Sequence, residues 1–282
     1  MKHEDNPKSI KYYVKRYLLR ERSWFEGKDI IDFPAGNGIS SEIIREIGGH
    51  PMPFDLFPEY FRVPGLECKR ADINVGIPVE NNSVDAIVCQ EGIEHFSDQA
   101  KAFMEFGRIL RVGGRLIITT PNYSGLRSKL SYLLGETERF NSLMAPNELD
   151  SVWMSKKEIS DQVYYGHIFL IGILKMRCLG RLAGFRIKHI EPTRTKLTSV
   201  ILLVLFYPFI LLSNWYAYKK NMRKNKDFDP AIKKATYLEI FKLATSPSIL
   251  VDGHLFVEFE KEIEQEEVVD RFRSRHKEFG TT

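Results

Sequence analysis

Cysteine is scarce: Cys68, Cys89 and Cys178 are the only three among 282 residues, and they lie far apart with no CxxC spacing. An odd, scattered set of thiols excludes a disulfide scaffold and offers no metal site, and it suits a reducing compartment. Charge of one sign is also in short supply. Lys and Arg number 41 against 37 Asp and Glu, and the resulting +4 is too small to argue for nucleic acid as a partner. The opening MKHEDNPKSIKYYVKRYLLRERSW has early charges and no unbroken apolar stretch, so no secretory signal is expected and the catalytic body should stay in the cytoplasm. Internal repeats are lacking. Long apolar runs are lacking too, with one exception at Val200 to Leu212, VILLVLFYPFILL, where only Pro208 interrupts. The remaining composition, 43% hydrophobic and 12% aromatic, is that of a chain able to bury its own core.

Ile10, Tyr13, Val14, Tyr17 and Leu18 recur at helical spacing, so residues 1–28 are expected to form an amphipathic first helix, either packed on the domain behind it or serving at a membrane surface or as an active-site lid. From Asp29 short apolar runs alternate with helical stretches: DIIDF, SSEIIREIG, PMPFD, VDAIVC, a helix near Ala100 to Leu110, then RLIITT. This rhythm predicts parallel strands joined by right-handed helical crossovers, an α/β doubly wound sheet. Gly113 and Gly114 are expected to end one helix and admit the next strand. The core should run over 29–192, with an aperiodic cap at 121–166 that contains one short helix near Leu126 to Leu134. Ile168 to Ala183 reads as helix and FRIKHIEP as strand; 193–247 is an apolar and basic insertion, and 248–282 holds a last strand, HLFVEFE, and a solvated tail.

IIDFPAGNGISSEII places a glycine-containing turn between a strand and a helix, where backbone amides and a helix N-terminus can approach a ligand. Asp55 ends the next strand, 23 residues after Asp32, a position from which a carboxylate can bind a ribose diol. Asp72 follows the third strand, and Ile73 beside it suits an adenine face.

DFPAGNG, Asp55, RADI, NNSVDAIVCQEGIEHFSD and GRILRVGGRLIITTPN together resemble class I S-adenosylmethionine-dependent methyltransferases over about residues 28 to 122. The resemblance implies a mostly parallel seven-stranded sheet with S-adenosyl-L-methionine as cofactor. It puts Asp32 and Gly36 near the methionine part, Asp55 and Leu56 at the ribose, and Asp72 and Ile73 at adenine. Cys89 and Gln90 would line the pocket, and Gly38 completes the turn. Pro34 stands where the family pattern DxGxGxG has its first glycine, and lacking an N–H it fits only where no amide must reach the ligand. A GxGxxG dehydrogenase fingerprint is absent.

The sulfonium activates its own methyl group, so the protein must orient a nucleophile, and a hydroxyl acceptor would gain from a nearby base. His167 and His95 are the candidates; Glu91 and Glu94 are expected at the surface or in caps, with orienting a histidine or binding acceptor hydroxyls as the alternative, and no metal is expected. The apolar insertion must also be placed. Val200 to Leu212 would span about 20 Å as a helix, short of a membrane core of roughly 30 Å, while Leu197 to Tyr216 would just reach. A single crossing would separate HLFVEFE from its sheet. Arg194 and Lys196 before the segment and Lys219, Lys220, Arg223, Lys224 and Lys226 after it mark both ends as cytoplasmic. The expectation is a monotopic or re-entrant anchor, broken at Pro208, on an enzyme that methylates a membrane-associated acceptor. Bacterial surface-polysaccharide methyltransferases are similar, which implies a sugar hydroxyl on a lipid-linked glycan; the alternatives are a quinone or isoprenoid lipid, or a non-catalytic scaffold. A buried hairpin or homodimer interface would account for the same apolar run.

Overall fold

A computed structural model describes residues 2–137, 140, 142–224 and 226–275. Helices α1 (Ile10–Arg20) and α2 (Arg22–Phe25) lead into strand β1 (Asp29–Asp32). Then follow α3 (Ile39–Glu46), β2 (His50–Asp55), β3 (Lys69–Arg70), β4 (Val84–Gln90), α4 (Gln99–Ile109) and β5 (Leu110–Pro121). A cap contains α5 (Leu126–Gly135) and two short strands, β6 (Val152–Met154) and β7 (Val163–Tyr165). The chain continues through α6 (Ile173–Leu182), β8 (Phe185–Ile190), α7 (Leu197–Arg223), α8 (Pro230–Thr245), α9 (Pro247–Val251), β9 (His254–Lys261) and α10 (Gln265–Arg273). The last part of the expected tail, 276–282, lies outside the described residues.

The main sheet has seven strands in the order β3-β2-β1-β4-β5-β9-β8. The first five pair in parallel, and β9 runs antiparallel to both β5 and β8. Successive residues of β1 face opposite sides, so Ile30 joins a core layer with Val14, Tyr17, Leu18, Ile44 and Phe256, while Ile31 joins the other with Phe103, Phe106, Phe185 and Phe259. Both faces are therefore covered, as a doubly wound sheet requires. The order reverses between β1 and β4, which opens a crevice at the carboxyl ends of these strands.

Four local expectations are corrected. The helix before β5 ends at Ile109, and Gly113 and Gly114 lie inside the strand, where the β4–β5 register shifts. A Cβ on Gly114 would come within 2.9 Å of the Asp85 carbonyl oxygen, so this glycine serves close strand approach and not helix termination. Residues 168–172 are not helical, and α6 begins at Ile173. The aperiodic cap contains the β6–β7 hairpin, whose strands have three residues each and are too short to show a period. Pro208 does not split the apolar segment: α7 is one helix of 27 residues, about 40 Å long at 1.5 Å per residue.

Among the described residues α7 is long and apolar enough to cross a membrane, yet it lies along the flank of the domain. Its preceding strand β8 and the later β9 are neighbours in one sheet. Its partner α8 is fastened to the body through Glu239, which pairs with Arg177 at 2.7 Å and Arg181 at 3.5 Å, and Tyr207 Oη donates to the Thr245 carbonyl. Only Ser199 of α7 is buried. Leu197, Ile201, Val204, Leu205, Phe209, Leu212 and Tyr216 form an exposed stripe, with Val204 75% and Phe209 67% exposed. A core helix would have hidden these side chains.

Candidate active site

The turn after β1 is knitted into the sheet by its amides. Phe33 N donates to the Val88 carbonyl, Ala35 N to that of Phe54, and Gly36 N to Asp55 Oδ2 at 2.8 Å. Pro34, which has no N–H, sits between two amides that are both engaged and leaves no donor of its own to satisfy. Gly36 has φ +53 and open space where a Cβ would stand, so its backbone presents a bare face. Gly38 has φ +93 and differs: its missing Cβ would lie 2.3 Å from Val63 Cγ2 and 2.6 Å from a Phe61 ring carbon.

A cavity of about 520 Å³ opens at the switch point, a size suited to a nucleoside cofactor. Asp32, Pro34, Gly36, Asp55, Leu56, Asp72, Ile73, Gln90 and His95 all line it. Asp55 also accepts from Phe57 N at 2.8 Å through Oδ1, so two amides hold its carboxylate in place, and Asp72 Oδ1 accepts from Asn74 N. Ser40 Oγ donates to Gln90 Oε1. Cys89 and Gly38 are not part of this wall. Cys89 is fully buried in the core, burial drives its thiol well above the usual range, and alternation along β4 turns it away while Gln90 faces the cleft. Gly38 lies beneath Phe61 and Val63 at the start of α3.

Asp32 is almost wholly buried and accepts from Ser41 Oγ at 2.6 Å. Burial pushes its carboxyl up to about 7, against the opposing hydrogen bonds from Ser41. A carboxyl raised on folding holds its proton more tightly in the native state, so its contribution to stability is full below the unfolded value and is lost as pH rises through the folded one. The protein without cofactor is therefore expected to lose stability between about pH 4 and pH 7, with part of that loss absent in Asp32→Asn. Urea midpoints measured across this range check it; parallel curves for the two proteins would disprove the assignment.

Several residues at the cleft carried no sequence signal. The β6–β7 hairpin brings Trp153, Gln162, Tyr164 and Tyr165 over it. Phe57 meets Trp153 at 5.0 Å and Tyr164 at 4.6 Å between ring centroids. Lys11 reaches the cleft from α1, whose buried face otherwise packs on the core as expected.

The two candidate histidines stand at a junction. His95 lines the cofactor-sized cavity, His167 lines a second cavity of about 440 Å³, and their rings are 5.1 Å apart. His95 Nδ1 lies 3.0 Å from the Tyr165 carbonyl, which can only accept, so Nδ1 carries the proton and Nε2 of the neutral ring remains an acceptor. Glu94 is not at the surface: it is fully buried, Oε2 accepts from Thr120 Oγ1, and Oε1 has no hydrogen-bond partner among the described residues. Glu94, His95 and His167 bring one ligand atom each within 4.8 Å of one another, a donor set able to hold a divalent cation and one that sequence reading did not assemble. Glu91, at φ 51, accepts from Thr119 Oγ1 and sits 3.5 Å from His254 Nε2. Burial and the neighbouring Glu94 raise the Glu91 carboxyl, while burial, Lys196 and His167 bring His254 down to about 4. Both groups are thereby favoured in their neutral forms.

A seven-stranded, mostly parallel sheet with a nucleoside-sized crevice, edged by Asp55 and Asp72 and floored by Gly36, is the fold of class I S-adenosylmethionine-dependent methyltransferases, and the chain carries a methyltransferase domain on it. Residues 31–118 match the family model described as a methyltransferase domain. Among curated proteins the chain is similar to a ubiquinone biosynthesis O-methyltransferase of Xanthomonas campestris, 24% identical over 59% of this chain and 74% of that one. The corresponding protein of Xylella fastidiosa is 27% identical over 54% and 66%. Among solved structures, a SAM-dependent methyltransferase from Archaeoglobus fulgidus shares the fold at 14% identity, with TM-score 0.51 and coverage of 92% and 97%. The residues present fit the cofactor, with carboxylates on successive strand ends, an apolar side at Leu56, Phe57 and Ile73, and a glycine that leaves room at the turn.

Proposed function

We propose that the enzyme methylates a hydroxyl oxygen of a lipid acceptor presented at the cytoplasmic face of a membrane. The observation that carries this reading is the exposed apolar stripe of α7, a helix that begins at the wall of the second cavity. Arg194 and Lys196 precede the stripe and Lys219, Lys220, Arg223 and Lys224 follow it, so both ends suit anionic headgroups, with the apolar face in the acyl boundary. The cofactor, when bound, supplies an electrophilic methyl group. Asp55 with Leu56 holds the ribose, Asp72 and Ile73 hold adenine, and Asp32, Pro34, Gly36 and Gln90 border the methionine end. His95 Nε2 takes the hydroxyl proton, for a gain of about 10² to 10⁴ in rate. His167 positions the acceptor from the second cavity. The names of the curated relatives favour a ring hydroxyl on an isoprenoid lipid over the sugar hydroxyl suggested by the sequence.

The test combines flotation on phosphatidylcholine–phosphatidylglycerol vesicles with transfer of a labelled methyl group to a lipid extract. Wild type is expected to float and to label an organic-soluble product, and mass spectrometry of that product separates ring from sugar methylation. Phe209→Glu with Leu212→Glu should lose vesicle binding by about a hundredfold or more, because each side chain brings about 1.5–3 kcal/mol of apolar burial, with cofactor affinity retained. A wild-type protein that stays in the aqueous layer as a dimer closed over α7 would refute the membrane reading.

A further inference from the structure

The second cavity has an electrostatic character of its own. It is bounded by Asn122 just after β5, the start of α5 (Arg127, Ser128), the start of α7 (Lys196), Asp252 and His167. Lys196 is half-buried, and among the described residues its ammonium makes no hydrogen bond or ion pair. Burial and the nearby cations Arg194 and Arg127 make its charge harder to keep. The carboxylate in the same wall is already engaged, since Asp252 accepts from Thr193 N at 2.8 Å and from Thr195 Oγ1 at 3.2 Å. Arg127 holds its guanidinium 4.6 Å over the Phe140 ring. Helices α5 and α7 both begin at this wall without a side-chain cap, which adds two positive helix ends to the cationic side chains.

An orphaned acceptor lies in the same wall. Asn122 is buried, and its amide nitrogen donates to the carbonyls of Ile249 at 2.7 Å and Asp252 at 2.9 Å, which fixes the orientation of the amide. Its Oδ1 is left buried with no hydrogen-bond partner among the described residues. A half-buried ammonium with no ion pair among the described residues, beside an acceptor with no described partner, suits a ligand bearing an oxyanion and, a short distance away, a hydroxyl. Leu197 and Ile201, the first members of the exposed stripe, directly follow Lys196, so the charge sits at the edge of the lipid-facing surface.

We propose that this cavity binds a phosphate ester of the lipid acceptor, with Lys196 and Arg127 on the oxyanion and Asn122 Oδ1 accepting from a ligand hydroxyl. This rests on the lipid-acceptor reading above and narrows it to phosphate-bearing lipids. The 5.1 Å approach of His167 to His95 joins the phosphate site to the cofactor cleft, so a phosphate held at Lys196 anchors the acceptor beside the transferred methyl group.

The test measures binding by the full-length protein in neutral detergent micelles, with a short isoprenyl phosphate and the matching isoprenyl alcohol as probes. The phosphate should bind at least about tenfold tighter than the alcohol, as expected for one charge-assisted contact. Lys196→Gln and Arg127→Gln should each erase most of that preference, Lys196→Arg should restore it, and affinity for S-adenosylmethionine should stay unchanged as evidence of an intact fold. Equal binding of the two probes, or a preference that survives Lys196→Gln, overturns the site. A Lys196-dependent preference seen only with phosphatidylglycerol vesicles would assign the oxyanion to a membrane headgroup and overturn the acceptor assignment. Because the readout is binding without methyl transfer, failure of the lipid methylation assay would leave a positive result here standing, and the two hypotheses fail separately.

Discussion

Gly38→Ala is expected to lose about 2–5 kcal/mol of folding stability, of which about 1–2 comes from the left-handed backbone and about 1–3 from overpacking. At φ +93 the new methyl would stand 2.3 Å from Val63 Cγ2 and 2.6 Å from a Phe61 ring carbon, so either the turn or the segment beneath it must shift. A domain holding about 5–15 kcal/mol in total would be left marginal at best. Gly36→Ala separates the two reasons for glycine in one turn. Its φ of +53 carries the backbone cost, but nothing stands within 4 Å of its Cβ position, which faces the cleft. That variant should fold with a loss of about 1–2 kcal/mol while binding S-adenosylmethionine poorly. Urea unfolding and calorimetric titration on both proteins check the contrast; equal stabilities would show that Phe61 and Val63 yield freely.

Asp55→Ala is expected to weaken S-adenosylmethionine binding by about 10² to 10⁴, because two hydrogen bonds to a charged carboxylate contribute about 1.5–3 kcal/mol each. Part of the loss would come through the turn. The Gly36 and Phe57 amides now end on this carboxylate, and without it the glycine that floors the cleft loses its tether to β2. Asp55→Asn keeps a carbonyl oxygen for one amide and should fall between the two. Titration with S-adenosylmethionine and S-adenosylhomocysteine gives the answer: both ligands should weaken together, since the ribose is common to them. A wild-type-like Kd in a folded Asp55→Ala protein would place the ribose elsewhere.

The strands and their acidic ends were legible because each repeats a local rule. DIID, HPMPFD and VDAIVCQ are short apolar runs, and a carboxylate that closes such a run falls at the sheet's carboxyl edge whatever the loops do. Cys89 escaped because facing depends on the register of β4 within the sheet, and one residue reverses it. The β6–β7 hairpin escaped because its strands are held by each other and by aromatic contacts with Phe57, a residue about 100 positions away in sequence. Glu94 reads as one more charged residue in EGIEH, and only the packing of Thr120 and the two histidines around it shows it to be buried.

By itself the sequence determined the sheet, its switch-point cleft, the nucleoside cofactor and the presence of an apolar segment between two strands that must stay together. The strands and their acidic ends follow from periodicity and residue types, which are local properties of the chain, while the cofactor follows from the resemblance those motifs carry. The tertiary structure alone decided that Pro208 leaves α7 unbroken and that Glu239 holds α8 against the body. It also decided that His95 and His167 meet between two cavities and that Lys196, in the wall of one of them, has no ion pair among the described residues. Those facts arise where elements distant in sequence come within a few ångströms of each other, and no spacing along the chain encodes them.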